Sequence, residues 1–412
     1  MDSVSVFYLI VGLILADYIF DLYVSILNAK HFNDPVPPLL ADVYDTAEYQ
    51  KSQRYKKKQL RFGLLHSGFN LLLILGFIFS DGFLWLHQFS TQLFDQPIAV
   101  SLVFFGFLFG ASFLLSLPFS YYDTFVIEEK FGFNRSTQKT FWLDQLKSLA
   151  LTILVGGLVL GLINWFYLLL GLDFWWFAWL FIAVIIVFMN LFYSKLIVPI
   201  FNKLKPLNAG ELREKIENYA TKENFNLDKI NVIDGSKRSS KANAYFSGFG
   251  SQKQVTLYDT LIEKLTADEV VAVLAHEVGH YKKKHIIFNL LMALLSTGLT
   301  FFVLSLFINL PVVSQAFGVE NPNFHIGLVA FSFIYAPVNT VLGIVTNIVS
   351  RKFEYQADDF AKATHSATDL MHGLKKLSRD SLSNLTPHSL NVFLNYSHPS
   401  LHQRFRNLKE NA

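Results

Sequence analysis

Cysteine is absent from the 412 residues, which excludes disulfides and thiolate metal sites and leaves any metal to His and carboxylates. Charge is scarce as well. Asp, Glu, Lys and Arg make up 16% of the chain, where a soluble globular protein carries about 25%. A strong net charge is also missing: the formal value is +3, too small to imply a nucleic-acid partner. No cleavable leader is evident, because the first apolar run follows Met1-Asp2 without basic residues before it or a small-residue cleavage site after it. Apolar residues take the remaining room at 52% of the chain, 42 of them phenylalanine, and an ordinary soluble enzyme is thereby excluded.

Seven segments are long and apolar enough to cross a hydrocarbon core of ~30 Å, which takes about 20 helical residues. They fall near 4–27, 62–86, 97–118, 148–168, 174–194, 286–309 and 324–349. The connections 87–96, 169–173 and 310–323 and the tail 1–3 contain no Lys or Arg, so all 35 basic residues lie in 28–61, 119–147, 195–285 and 350–412. Seven alternating crossings put this whole second set on one side. The positive-inside rule makes that side cytoplasmic, with the N-terminus outside or lumenal. The basic run 51–61 (KSQRYKKKQLR) reads as a membrane-surface helix beside a span.

Two basic-side pieces are long enough to fold. Residues 209–224 read as a charged helix, KINVID (229–234) as a strand, and 242–259 as a hairpin around a Gly-rich turn. A helix from Ala267 onward follows, and 351–365 and 367–381 read as helices after the last span.

That helix from Ala267 contains His276-Glu277-Val278-Gly279-His280, an HExxH pattern. Histidines at i and i+4 share one helix face, so both imidazoles can reach one ion. Glu277, beside the first of them, can take a proton from the attacking water while the ion polarises the scissile carbonyl. A catalytic zinc site needs a third protein ligand, and Glu354 in RKFEYQADDFA is the best placed. Asp358, at i+4, suits an acid that receives the far N–H of a ligating histidine. The same two carboxylates could equally be exposed helix residues near Arg351 and Lys352.

The chain resembles the type I CAAX prenyl proteases, integral-membrane HExxH metalloproteases. The segments that carry the resemblance are DTFVIEEKFGFNRST (123–137), ANAYFSGFG (242–250), LAHEVGH (274–280), FEYQAD (353–358) and YSHPSLHQR (396–404), in order and across most of the sequence. The resemblance implies one Zn2+ per chain on His276, His280 and Glu354, with Asp358 behind the ligands and Arg404 bracing the region. It further implies that Asn243 and Ala244 lie on an edge strand that pairs with the substrate backbone, and that His398 donates to the oxyanion. His285 and His402 match no role and read as interfacial and solvated.

The expected fold is mainly α and integral to the membrane, with seven transmembrane helices and a small α+β cytoplasmic zinc-protease domain, and the resemblance implies that the helices enclose a water-filled intramembrane chamber. Asp17 and Asp21, at i and i+4 in the first span, hint at the chamber, as do Asn190, Asn339 and Asn347. The expected organisation is a membrane domain over 1–200, a protease segment over 201–285, two further spans over 286–349, and a C-terminal segment, 350–412, that completes the site. The expected partners are the bilayer and a peptide or protein substrate. The resemblance implies an isoprenylated CAAX chain cut near its C-terminus, in the endoplasmic reticulum or a bacterial inner membrane. A quality-control protease without prenyl preference is the alternative, and a transporter or scaffold with structural zinc is the rival from another class. The final Lys-Glu-Asn-Ala lacks a dilysine signal, which disfavours retrieval to the endoplasmic reticulum.

Overall fold

The computed structural model describes residues 1–247 and 253–410. Ser3–Lys30, Thr46–Phe79, Pro97–Phe131, Gln138–Phe201 and His285–Phe307 are each long and apolar enough to cross a membrane, and Phe324–Ile334 with Ala336–Thr364 makes a sixth such unit, bent by 55°. Seven crossings were expected, and the difference lies in the 64-residue stretch Gln138–Phe201. Gly171, at φ +57° and ψ −126°, ends Gly157–Leu170, and Phe174–Leu196 begins after a single tight turn. The two halves pack face to face, with the Phe166 ring 6.4 Å from Phe177 and 6.0 Å from Phe181.

Three expected boundaries move. The segment 62–86 is not one helix: Thr46–Phe79 stops, Asp81 adopts the left-handed region (φ 53°), and Gly82–Leu93 sets off anew. Gly82 permits this reversal, because a Cβ there would lie 2.5 Å from the Phe77 ring. The basic run 51–61 is the start of the same helix, not a separate surface element, and it buries Gln53 and Tyr55. Residues 351–365 do not begin a new helix either; Ala336–Thr364 is continuous. The bend before it has a local cause. Pro337 lacks an N–H and its ring excludes the preceding turn, so the chain cannot run straight from Ile334.

Among the described residues the sheet has four strands: β1 (Leu204–Pro206), β2 (Lys229–Ile233), β3 (Ala244–Ser247) and β4 (Gln254–Tyr258), in the order β1-β2-β4-β3. β3 and β4 pair antiparallel from Ala244↔Leu257 to Ser247↔Gln254, as the hairpin reading required; its Gly-rich turn lies outside the described residues. β2 pairs parallel with β4 and antiparallel with β1, and the sequence reading found neither pairing. β3 is therefore an edge strand. Against this sheet lies the helix Ala267–Lys282. Its buried face, with Val270, Val271, Leu274, Ala275 and Val278, meets Leu257, Leu261, Ile216, Phe225 and Leu370 in one core. A reciprocal cap fixes its start: Thr266 Oγ1 accepts the Glu269 N–H (3.3 Å) and Glu269 Oε2 accepts the Thr266 N–H (2.8 Å), an arrangement that contributes about 1 kcal/mol. Lys376 then pairs with Glu269 at 2.7 Å and ties this end to the helix Ala367–Asp380.

Candidate active site

The HEVGH helix crosses the lower part of Ala336–Thr364, and Gly279 sets how closely. A Cβ on Gly279 would stand 3.0 Å from Ala357 Cα and 3.1 Å from Phe360 Cβ. This close crossing brings one face of each helix together. His276 Nε2 lies 3.2 Å from His280 Nε2 and 3.5 Å from Glu354 Oε2, while His280 Nε2 lies 3.2 Å from Glu354 Oε1. Donors on a tetrahedral zinc ion with arms of about 2.0–2.1 Å stand roughly 3.3 Å apart, so the three separations suit one small ion. The chemistry of the donors fits as well: two imidazoles and a carboxylate gather with Glu354 Oε2 buried and without a hydrogen-bond partner.

Each histidine is held from behind. Asp358, fully buried, places Oδ1 2.8 Å from His276 Nδ1, which leaves Nε2 to face inward. Arg404 supports Asp358 in turn, with Nε donating to Oδ2 at 2.9 Å, and its Nη1 lies 3.6 Å from Glu354 Oε2. Burial and Arg404 push the His276 imidazole down, but the neighbouring Asp358 and Glu354 carboxylates outweigh both and raise it to about 9 whenever no cation shares the site.

His285 was expected to be solvated. It is buried, with Nδ1 3.0 Å from His280 Nδ1, Nε2 2.8 Å from Gln356 Oε1, and its ring stacked on Phe353 at 4.0 Å. If His280 Nε2 faces the ion, the proton sits on His280 Nδ1 and is donated to His285, whose own Nε2–H goes to Gln356. This partner was missed because i and i+5 diverge by roughly 140° on an unbroken helix. The helix breaks at Lys284, in the left-handed region (φ 62°), and a new one begins at His285.

The remaining residues singled out in the sequence surround this group. Glu277 is half-buried next to His276. His398 is exposed to the site, with Nε2 3.3 Å from Glu354 Oε1 and Nδ1 2.9 Å from Ser397 Oγ. Asn243 precedes edge strand β3; its carbonyl accepts the Tyr258 N–H at 3.0 Å and its side chain the Ala244 N–H at 2.9 Å. Ala244 begins β3 itself.

A membrane-embedded peptidase that works with a metal ion is the class this fold and this His-His-Glu group define. The comparisons with known proteins agree. Residues 25–203 match the CAAX prenyl protease N-terminal family, five membrane helices, and residues 206–412 match peptidase family M48. CAAX prenyl protease 1 of Saccharomyces cerevisiae is 34% identical over 96% of this chain and 93% of its own. The Homo sapiens CAAX prenyl protease 1 homolog is also 34% identical, over 91% of this chain and 88% of its own. The crystal structure of S. mikatae Ste24p superposes with a TM-score of 0.93 at 34% identity, covering 98% of this chain and 99% of that one. The chain belongs to peptidase family M48, as a multi-pass integral-membrane metalloendopeptidase.

Proposed function

We propose that the chain is a zinc endopeptidase that cuts isoprenylated CAAX proteins near the C-terminus, with its zinc site and C-terminus cytoplasmic and its N-terminus outside or lumenal. The observation that carries the chemistry is the trio of donors 3.2–3.5 Å apart, with both histidines held by buried partners. His276, His280 and Glu354 hold the ion, Asp358 and Arg404 orient His276, and His285 orients His280. Bound zinc polarises the scissile carbonyl and acidifies water. Glu277 takes the proton of the attacking water and delivers it to the leaving nitrogen. His398 donates to the oxyanion, and Asn243 with edge strand β3 holds the extended peptide by its main chain.

The substrate class follows from the relatives named CAAX prenyl protease 1. A farnesylated CAAX peptide is expected to be cleaved with a higher kcat/KM than its unmodified twin; equal values would favour a general membrane quality-control protease instead.

Counting the hairpin of Gly157–Leu170 and Phe174–Leu196 as two crossings gives seven in all, since 64 helical residues would extend about 96 Å, some three bilayer cores. In favour of a chamber is a cavity of ≈ 340 Å³ between the first two spans, lined by Asp21, Ser25 and Ser67 together with Asn395 of the C-terminal segment. Carboxylate and hydroxyl groups within apolar spans call for water.

Three outcomes test the site. His398→Ala is expected to lower kcat about 10²–10³-fold with KM little changed; an unchanged kcat would leave His398 a turn residue. His285→Ala is expected to weaken zinc binding about 10–100-fold, measured by competition with a chelator, and wild-type affinity would remove it from the support of His280. Zinc uptake is expected to release a proton at pH 7.5, because the ion displaces the one that His276 keeps up to about 9. Affinity therefore climbs as pH rises toward that value. Titration calorimetry in buffers of differing ionisation enthalpy reads the release directly, and finding none would contradict a charged His276.

A further inference from the structure

Beside His398 opens a polar cavity of ≈ 470 Å³ whose lining includes Asn28, Lys56, Ser397, Ser400 and Arg404. It has two cations. Arg404 is engaged by Asp358 and Glu354. Lys56 is not: among the described residues no carboxylate lies within ion-pair reach of its ammonium, and its hydrogen bond goes to the neutral Gln59 Oε1 at 3.4 Å. Gln59 donates to Tyr55 Oη (2.6 Å), Tyr55 donates to Glu128 (2.5 Å), and Lys241 pairs with Glu128 (2.6 Å). The one nearby acid in this chain of contacts is thus already matched to Lys241, and the charge on Lys56 is left over in a half-buried, polar setting. A cation held indoors without a counter-ion is costly unless an anion arrives to meet it.

The position of Lys241 bears on which part of a substrate would reach this cavity. It stands three residues before edge strand β3 begins at Ala244. A peptide added antiparallel to β3 has its C-terminal end at that start. We infer that Lys56, in the cavity beside His398, receives the free C-terminal carboxylate of the substrate. This rests on the protease reading and adds to it a recognition element for the end of the chain. One ammonium matches one terminal carboxylate, and its hydrogen bonds to a charged partner are of the strong kind. Internal segments lack that charge, so the same contact separates chain ends from loops.

The test uses the full-length, zinc-loaded protein and two farnesylated peptides of identical sequence without Asp or Glu, one ending in a free carboxylate and the other in a carboxamide. Wild type is expected to cleave the acid with a kcat/KM about 10–100-fold above the amide. Lys56→Gln is expected to bring that ratio close to one, and Lys56→Arg to keep most of it. Equal cleavage of acid and amide by wild type overturns the inference, as does an undiminished ratio in Lys56→Gln with full zinc content. If zinc-loaded wild type cleaves neither peptide, the protease reading itself falls.

Discussion

Glu277→Ala is expected to abolish measurable peptidase activity, a fall in kcat of at least about 10²–10⁴-fold, while zinc stays at one ion per chain. Both halves follow from where Glu277 sits. It is the neighbour of His276 on the HEVGH helix, about 100° round the axis, so it cannot share the ligand face with His276 and His280. The three donor atoms gathered within 4.8 Å come from His276, His280 and Glu354 without it. Its carboxylate is half-buried, more open than the buried His276 and Glu354 beside it, which suits a group that must meet water and return a proton. Zinc content by mass spectrometry and cleavage of a quenched peptide measure the two halves separately. Activity surviving the change would remove Glu277 from the chemistry. Zinc lost along with activity would move it among the ligands, and a scaffold with structural zinc predicts no dependence on this carboxylate at all.

Gly279→Ala is expected to be almost as damaging, although the residue touches neither ion nor substrate. Its new Cβ would meet Ala357 Cα at 3.0 Å, Ala357 O at 3.2 Å and Phe360 Cβ at 3.1 Å. Two of these are backbone atoms inside a helix, which cannot rotate away as a side-chain tip would. The helices must separate instead, and Ala357 lies between Glu354 and Asp358 on the strand of contacts that defines the site. Overpacking of this sort costs about 1–3 kcal/mol of stability. A parting of ~1 Å also pulls Glu354 from the two histidines, and misplacement on that scale lowers rates about 10²-fold. Zinc affinity and thermal stability should fall together. A variant with wild-type zinc affinity and activity would show that the crossing can relax without cost.

The motif residues were legible because their geometry is local. His276 and His280 lie one turn apart, and so do Glu354 and Asp358, so a helical period alone put each pair on one face. The basic residues likewise marked the long polar segments without any tertiary information. Gly279 carries no such signal, since the need for a bare Cα arises only when a second helix, some 78 residues later in the chain, lies across it. β1 was missed for another reason: Leu-Lys-Pro is three residues long and ends in proline, and only its partner β2 makes it a strand. The division of the span at 62–86 turned on Asp81 adopting a left-handed conformation, which an apolar run on either side conceals.

The bend at Tyr335 makes Ala336–Thr364 a lever. One rigid rod leads from the membrane to Glu354, which is about 28 Å along the axis from the pivot. At that radius a tilt of roughly 2° carries the carboxylate about 1 Å, enough to loosen its hold on an ion. The pivot is steadied by Tyr335, whose ring stacks on Phe331 at 4.8 Å and whose hydroxyl accepts a hydrogen bond from Thr300 at 3.1 Å. The place of Glu354 is therefore set at both ends of one rod, by the anchoring at Tyr335 as much as by the crossing at Gly279.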